Sequence, residues 1–279
     1  MKINHFLKFA LALCLGFGFV SCGSDDDNDG NSELWSGNLS DAKYEADAAA
    51  YKITNSSSIG SIELTASGNY LVMPPKSSYS TNSNMRVSRK CMFKSLAKST
   101  RAIPGSGLFG EFEKLSDGSY KLNGFGVLGA YSNGHLDLTL DNGSSMTLDA
   151  VKQPNIPSNA LNNRFCRTWA VSAAVEEVYD SNGSLLGRHE YSQSEIKEDF
   201  IYYVIVSKAG TYVQVDWDNA ISSYGSWTWK NTDEQLFAWA EEYDGGEVTV
   251  LFNNNYATFV EYFYEDGYTY KSIVTTVSM

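Results

Sequence analysis

The chain has 279 residues, 43% hydrophobic and 14% aromatic, with 33 acidic against 21 basic residues and a net charge of −12. Only 19% of residues are charged, so the composition supplies ample core and excludes both a disordered and a membrane-embedded chain. The acidic balance argues against general nucleic-acid binding, because such a surface repels phosphate.

The first element is a leader. Lys2 and Lys8 precede an apolar run from Phe9 to Val20, Ser21 and Cys22 follow, and then comes Gly23-Ser24-Asp25-Asp26-Asp27-Asn28-Asp29-Gly30. A basic start, a dozen apolar residues and a small residue before the cut describe a secretory signal, too short for the ~20 residues of a spanning helix. Phe19-Val20-Ser21-Cys22 resembles a bacterial lipobox, and the acidic run resembles the surface-export signal of Bacteroidota lipoproteins. That resemblance implies a signal peptide at 1–21, an acylated Cys22 and an acidic tether at 22–33. It also implies a lipid-anchored place on the outer membrane, facing the cell surface. Removing Lys2 and Lys8 takes the net charge to about −14, which keeps an anchored body off an anionic lipid surface. Asp25, Asp27, Asp29 and Gly30 match early positions of a calcium loop, but Ser36 stands where the bidentate Glu belongs. An acidic tether without metal is the expectation.

A first β domain is expected over 34–152. Ser61–Thr65 and Tyr70–Met73 flank Ala66-Ser67-Gly68-Asn69 as a hairpin, and Asp117-Gly118 and Asn142-Gly143 mark two more. Alternation such as Leu136-Asp137-Leu138-Thr139-Leu140 is that of a half-buried strand. Pro74-Pro75 stops pairing, and a basic insertion at about 76–107 follows, with no Asp or Glu between Leu64 and Gly110. Arg86, Lys90, Lys94 and Lys98, spaced by four, with Arg89 beside them, would form a cationic stripe on a helix. Two readings stand: a basic arm for lipid phosphates or an acidic glycan, and an exposed insertion offsetting the acidic body, the latter preferred.

Pro154 and Pro157 make 153–160 a linker. From 161 to 279 strand-like runs follow at Trp169–Tyr179, Arg188–Tyr191, Ile201–Ser207, Tyr212–Trp217, Ser226–Trp229, Leu236–Tyr243, Glu247–Phe252, Ala257–Tyr264 and Tyr268–Val277. Short Gly-containing turns separate several of them, as in an up-and-down barrel of about eight strands. Arg167-Thr168-Trp169, Gly210-Thr211-Tyr212 and Gly225-Ser226-Trp227-Thr228-Trp229 resemble the lipocalin-like domains of Bacteroidota lipoproteins. The fold class expected is therefore all-β, two β domains with the C-terminal one a lipocalin-like barrel. Leu64–Tyr70 also parallels Val206–Tyr212, and Gly110-Glu111-Phe112 parallels Gly225-Ser226-Trp227, a faint internal repeat of domain length.

No nucleophile elbow, metalloprotease helix or phosphate-binding loop occurs, and no catalytic residue, metal ligand or cofactor is assigned. Glu176-Glu177, like other adjacent carboxylates on strands, would point to opposite faces. Cys91 and Cys166 read as unpaired thiols rather than a bridge. Trp227, Trp229, Phe237, Trp239, Tyr262 and Tyr264 are the ligand-binding candidates, because aromatic rings at alternate positions suit a pocket inside a barrel. The same rings also suit an ordinary packed core. The expected role is non-enzymatic binding of a small apolar ligand or an oligosaccharide. A structural or protein-interaction module of the envelope is the alternative, and a glycan-acting enzyme stands third.

Overall fold

Alternating apolar and polar side chains, broken by turns at Gly, Asn and Asp, put most of the described chain into antiparallel strands. The computed structural model describes residues 42–75, 91–94, 107–241 and 245–279, which belong to one compact unit. The leader, Cys22 and the acidic tether lie outside the described residues, as do Arg86, Arg89, Lys90 and Lys98.

Eight strands run in order around a first closed barrel: β1 (Ala49–Ile53), β2 (Ser61–Leu64), β3 (Asn69–Met73), β4 (Leu108–Lys114), β5 (Tyr120–Leu122), β6 (Gly126–Leu128), β7 (His135–Leu140) and β8 (Ser145–Gln153). Each pairs with its successor, and β1 meets β8 with Tyr51 opposite Lys152, so no edge is left open. Ile62, Leu64, Phe112, Leu122, Leu136 and Leu138 fill the interior. Tyr44, ahead of β1, joins this core, its ring 4.5 Å from that of Phe112.

The second barrel is built from β9 (Thr168–Tyr179), β11 (Tyr203–Val206), β12 (Thr211–Val215), β13 (Ile221–Asn231), β14 (Leu236–Ala240), β15 (Gly245–Asn253), β16 (Tyr256–Glu265) and β17 (Tyr268–Ser278). Strand β9 closes it by pairing along its length with β17. Its other edge is divided: Thr168–Ala170 pair with β11, while Val175–Tyr179 pair with β10 (Leu185–Glu190), a flap outside the barrel ring. Helix α1 (Ala160–Phe165) precedes β9, capped by Asn159, whose side chain accepts from the Asn162 amide at 2.8 Å. Helix α2 (Gln193–Asp199) lies between β10 and β11 and carries a capping box of Ser192 and Glu195. The all-β class and the eight-stranded second barrel agree with the sequence; the closure of the first domain into a barrel of its own is additional.

The internal repeat falls on equivalent corners of the two barrels. Tyr70 on β3 faces Gly110 on β4, and Tyr212 on β12 faces Gly225 on β13. A Cβ on Gly110 would lie 2.7 Å from the Tyr70 ring, and one on Gly225 would lie 2.7 Å from the Tyr212 hydroxyl. In each barrel the tyrosine therefore folds across a glycine that leaves it room. The Phe112 amide donates to the Gly68 carbonyl at 2.8 Å, and the Trp227 amide donates to the Gly210 carbonyl at the same distance.

A shared seam joins the barrels. Leu71 of β3 packs with Ala170, Tyr203, Ile205, Val213 and Val215 on the outer face of the second barrel. Thr168 donates to Asn69 at 2.8 Å, Thr211 donates to Glu63 at 2.9 Å, and Lys208 forms an ion pair with Glu45. Strand β12 thus serves both sides: Tyr212 and Gln214 face its own barrel, whereas Val213 and Val215 face the neighbour.

Candidate functional site

The interior of the second barrel begins with Phe165, the last residue of α1. Its ring lies 4.6 Å from Trp227, 4.9 Å from Trp229 and 4.8 Å from Phe237, so the short helix fills part of the aromatic interior. Every indole N–H here is engaged. Trp169 donates to the Phe165 carbonyl, Trp227 to the Ser207 carbonyl, Trp229 to Asn162 and Trp239 to Glu261. Indoles satisfied in this way act as apolar walls.

The remaining interior space is taken by the chain itself. Cys91, Met92 and Phe93 are each only 1% exposed and belong to the core of the second barrel. This corrects the expectation of an exposed insertion for these residues. They form no helix: the Lys94 amide closes a turn on the Cys91 carbonyl, and Lys94 makes an isolated antiparallel bridge with Phe200. The physical reason is that Cys-Met-Phe is an apolar triplet within a basic stretch, and burial of Met and Phe side chains is worth roughly 1.5–3 kcal/mol each.

Main-chain groups buried inside a barrel need partners, and the strands supply them from side chains. The Met92 amide donates to Glu261 Oε2 at 2.7 Å, and Gln214 Nε2 donates to the Met92 carbonyl at 2.6 Å. The other Glu261 oxygen accepts from Trp239 Nε1 at 2.8 Å. A side chain at Gly246 would collide with this pair, its Cβ lying 2.6 Å from Glu261 Oε1, so β15 carries glycine there. The Ile201 amide donates to the Phe93 carbonyl at 3.0 Å, and the Phe93 ring lies 4.6 Å from Phe259. Lys94 Nζ donates to Glu176 at 3.0 Å and to the Tyr191 hydroxyl at 2.9 Å. Burial alone would lower the Lys94 pKa, but Tyr191 and Glu176 outweigh it and hold the ammonium up at about 12. Burial, with the Glu261 carboxylate nearby, pushes the Cys91 thiol up to about 12; its Sγ lies 3.2 Å from Ser272 Oγ. Such a thiol stays protonated and unreactive at neutral pH.

The candidate residues divide between two faces. Trp227, Phe237 and Trp239 are buried in the second barrel's core, and half-buried Trp229 packs against it. On β16 it is Phe259, Glu261 and Phe263 that face inward, so Tyr262 and Tyr264 belong to the outer face, Tyr264 being 72% exposed. Of the basic residues, the one that is described, Lys94, is paired with Glu176 and Tyr191 rather than displayed in a solvent stripe. Glu176 and Glu177 do point to opposite faces: Glu176 meets Lys94, and Glu177 meets Lys271 at 3.0 Å. Cys91 and Cys166 are free and buried. His135 and His189 are exposed and pair with Asp149 and Glu195. Glu261 and Gln214 were not singled out from sequence, although Gln214 in Tyr212-Val213-Gln214-Val215 is a polar residue at an inward position. Among the described residues, no three of His, Cys, Asp and Glu gather as a metal would require.

A cleft of about 270 Å³ lies between the barrels, lined by Lys52, Ser61, Glu63, Gln153 and Thr211 among others. Glu63 is 5% exposed, and burial raises its pKa above the ordinary carboxylate value against the opposing hydrogen bonds of Ser207 and Thr211. Its Oε2 has no hydrogen-bond partner among the described residues.

Comparison with protein-family models, with curated proteins and with solved structures gives no match to this chain.

Proposed function

We propose that the chain is a non-enzymatic, lipocalin-like binding protein of the cell envelope, anchored through an acylated Cys22 and facing the cell surface. Its ligand is apolar and occupies the interior of the second barrel, where Cys91–Phe93 now sit. The observation that carries this reading is the interior itself: a closed barrel with an aromatic wall and a small set of inward polar groups, Gln214, Glu261 and Ser272. Because the indole N–H groups are all engaged within the protein, an apolar ligand fits this wall better than an oligosaccharide, whose hydroxyls need donors and acceptors.

A thermal-shift screen of the fragment from Ser24 to Met279 tests it, with lipids in one arm and oligosaccharides in the other. A ligand at a hundred times its dissociation constant adds about 2.7 kcal/mol of stability. A shift with lipids and none with sugars is expected; no shift in either arm sinks the reading for those classes. A second reading, an interaction module, is favoured by the flap. Strand β10 is exposed throughout, pairs with β9 at the end of the sheet and presents Leu185 and Leu186 to solvent.

A further inference from the structure

The segment that fills the second barrel is held in the manner of a bound peptide. Its main chain is gripped at both polar groups of one residue by side chains from β12 and β16, far away in sequence. The next carbonyl accepts from the Ile201 amide, and Lys94 pairs antiparallel with Phe200, as a short added strand would. Main-chain hydrogen bonds of this kind provide affinity in peptide recognition, and side-chain pockets provide selectivity. The pockets are present. Phe93 lies against Phe259, Cys91 reaches Ser272, and Lys94 reaches Glu176 and Tyr191.

The barrel does not need the segment to close. Its eight strands complete the ring through the β9–β17 ladder, and Cys91–Lys94 add no strand to it. A ring complete without its occupant is a ring from which the occupant is separable in principle.

We propose that this interior is an extended-peptide site and that Cys91–Lys94 is its resident intramolecular occupant. Resting on the reading that the barrel interior is the binding site, it names the ligand class: a peptide segment with two consecutive apolar side chains followed by a cation. A partner chain presenting such a segment competes with the chain's own residues for Glu261 and Gln214.

The test uses the whole mature chain with one protease site introduced within 76–90 and another within 95–106. The folded protein is cut at both, and a labelled synthetic peptide spanning Ser88 to Ser95 is titrated in. Saturable uptake of the labelled peptide, with release of the cut fragment, is the expected result. A peptide N-methylated at the Met92 position replaces the amide hydrogen that meets Glu261 with a methyl group and is expected to bind at least about tenfold more weakly. Glu261→Gln in the protein should shrink the difference between the two peptides.

Retention of the cut fragment against a large excess of peptide overturns the proposal. So does unfolding of the cut chain that added peptide fails to reverse, or equal binding of the methylated peptide. A lipid shift without peptide exchange leaves the apolar-ligand reading standing and removes only the peptide class. Absence of both removes the two together.

Discussion

Phe93→Ala is the most direct perturbation of the arrangement inside the second barrel. The ring is 1% exposed, sits 4.6 Å from Phe259 and belongs to the same core as Phe237 and Trp239. Truncating a fully buried phenylalanine costs about 3–5 kcal/mol, from lost transfer free energy and the cavity left behind. At roughly 2–4 °C per kcal/mol for a domain of this size, the melting temperature should fall by about 6–20 °C. Phe237→Ala is the comparison, because that ring is equally buried but belongs to a strand of the barrel. Its cost is borne by the barrel fold itself. The cost of Phe93→Ala, and of adding Met92→Ala to it, should level off once the segment has left the interior and the barrel remains folded. Urea unfolding followed by tryptophan fluorescence reads both, since Trp227, Trp229 and Trp239 all belong to or pack against that core. A loss below about 1 kcal/mol for Phe93→Ala would refute the burial of the segment, being the effect of a surface substitution. Costs that keep adding up to global unfolding would instead make the segment ordinary core.

Glu63→Gln should change how stability depends on pH. The folded-state pKa of Glu63 is raised, so the native state holds a proton that the unfolded state releases, and wild-type stability falls as pH rises from the ordinary carboxylate range to the raised value. The glutamine variant should lack that fall in urea midpoints measured between pH 4 and pH 8; superimposable profiles would count against it. Gly225→Ala should be destabilising, although replacing a strand glycine by alanine ordinarily gains about 0.5–1 kcal/mol. Its Cβ would meet the Ala240 carbonyl oxygen at 2.2 Å and the Tyr212 hydroxyl at 2.7 Å, and a rise in the melting temperature would contradict the crossing of Tyr212 over that glycine. Cys22→Ala should move the protein from the membrane fraction to the soluble fraction; retention on the membrane would show that another element anchors it.

Much of the architecture is legible locally. The turns at Gly68, Asn142-Gly143 and Gly210, and the alternation through β7, are short-range signals that survive folding because each strand side chain has one of two faces to choose from. The matching segments Leu64–Tyr70 and Val206–Tyr212 are visible in the sequence too, whereas the crossing of Tyr70 over Gly110 and of Tyr212 over Gly225 needs the strands to be paired. Strand β1 and both helices are not legible to the same degree. The helices are six and seven residues long, and helices that short are held by packing of Phe165 and Ile196 rather than by propensity.

Two things needed the tertiary structure. One is which aromatic face turns inward: period-two alternation groups Tyr262 with Tyr264 and Phe259 with Phe263, yet the pattern is identical whichever set is buried. The other is the destination of Cys91–Lys94. Composition marks the stretch as basic and outside the strand pattern, but Met92 meets Glu261 and Gln214 across separations of 169 and 122 residues. Contacts that long leave no periodic trace, because they are set by how β12 and β16 come together around the ring. The amino-acid sequence by itself determined the β-class and the turns, which are properties of neighbouring residues. What fills the second barrel was decided by closure of the ring, which gathers polar groups from distant strands around one main-chain segment.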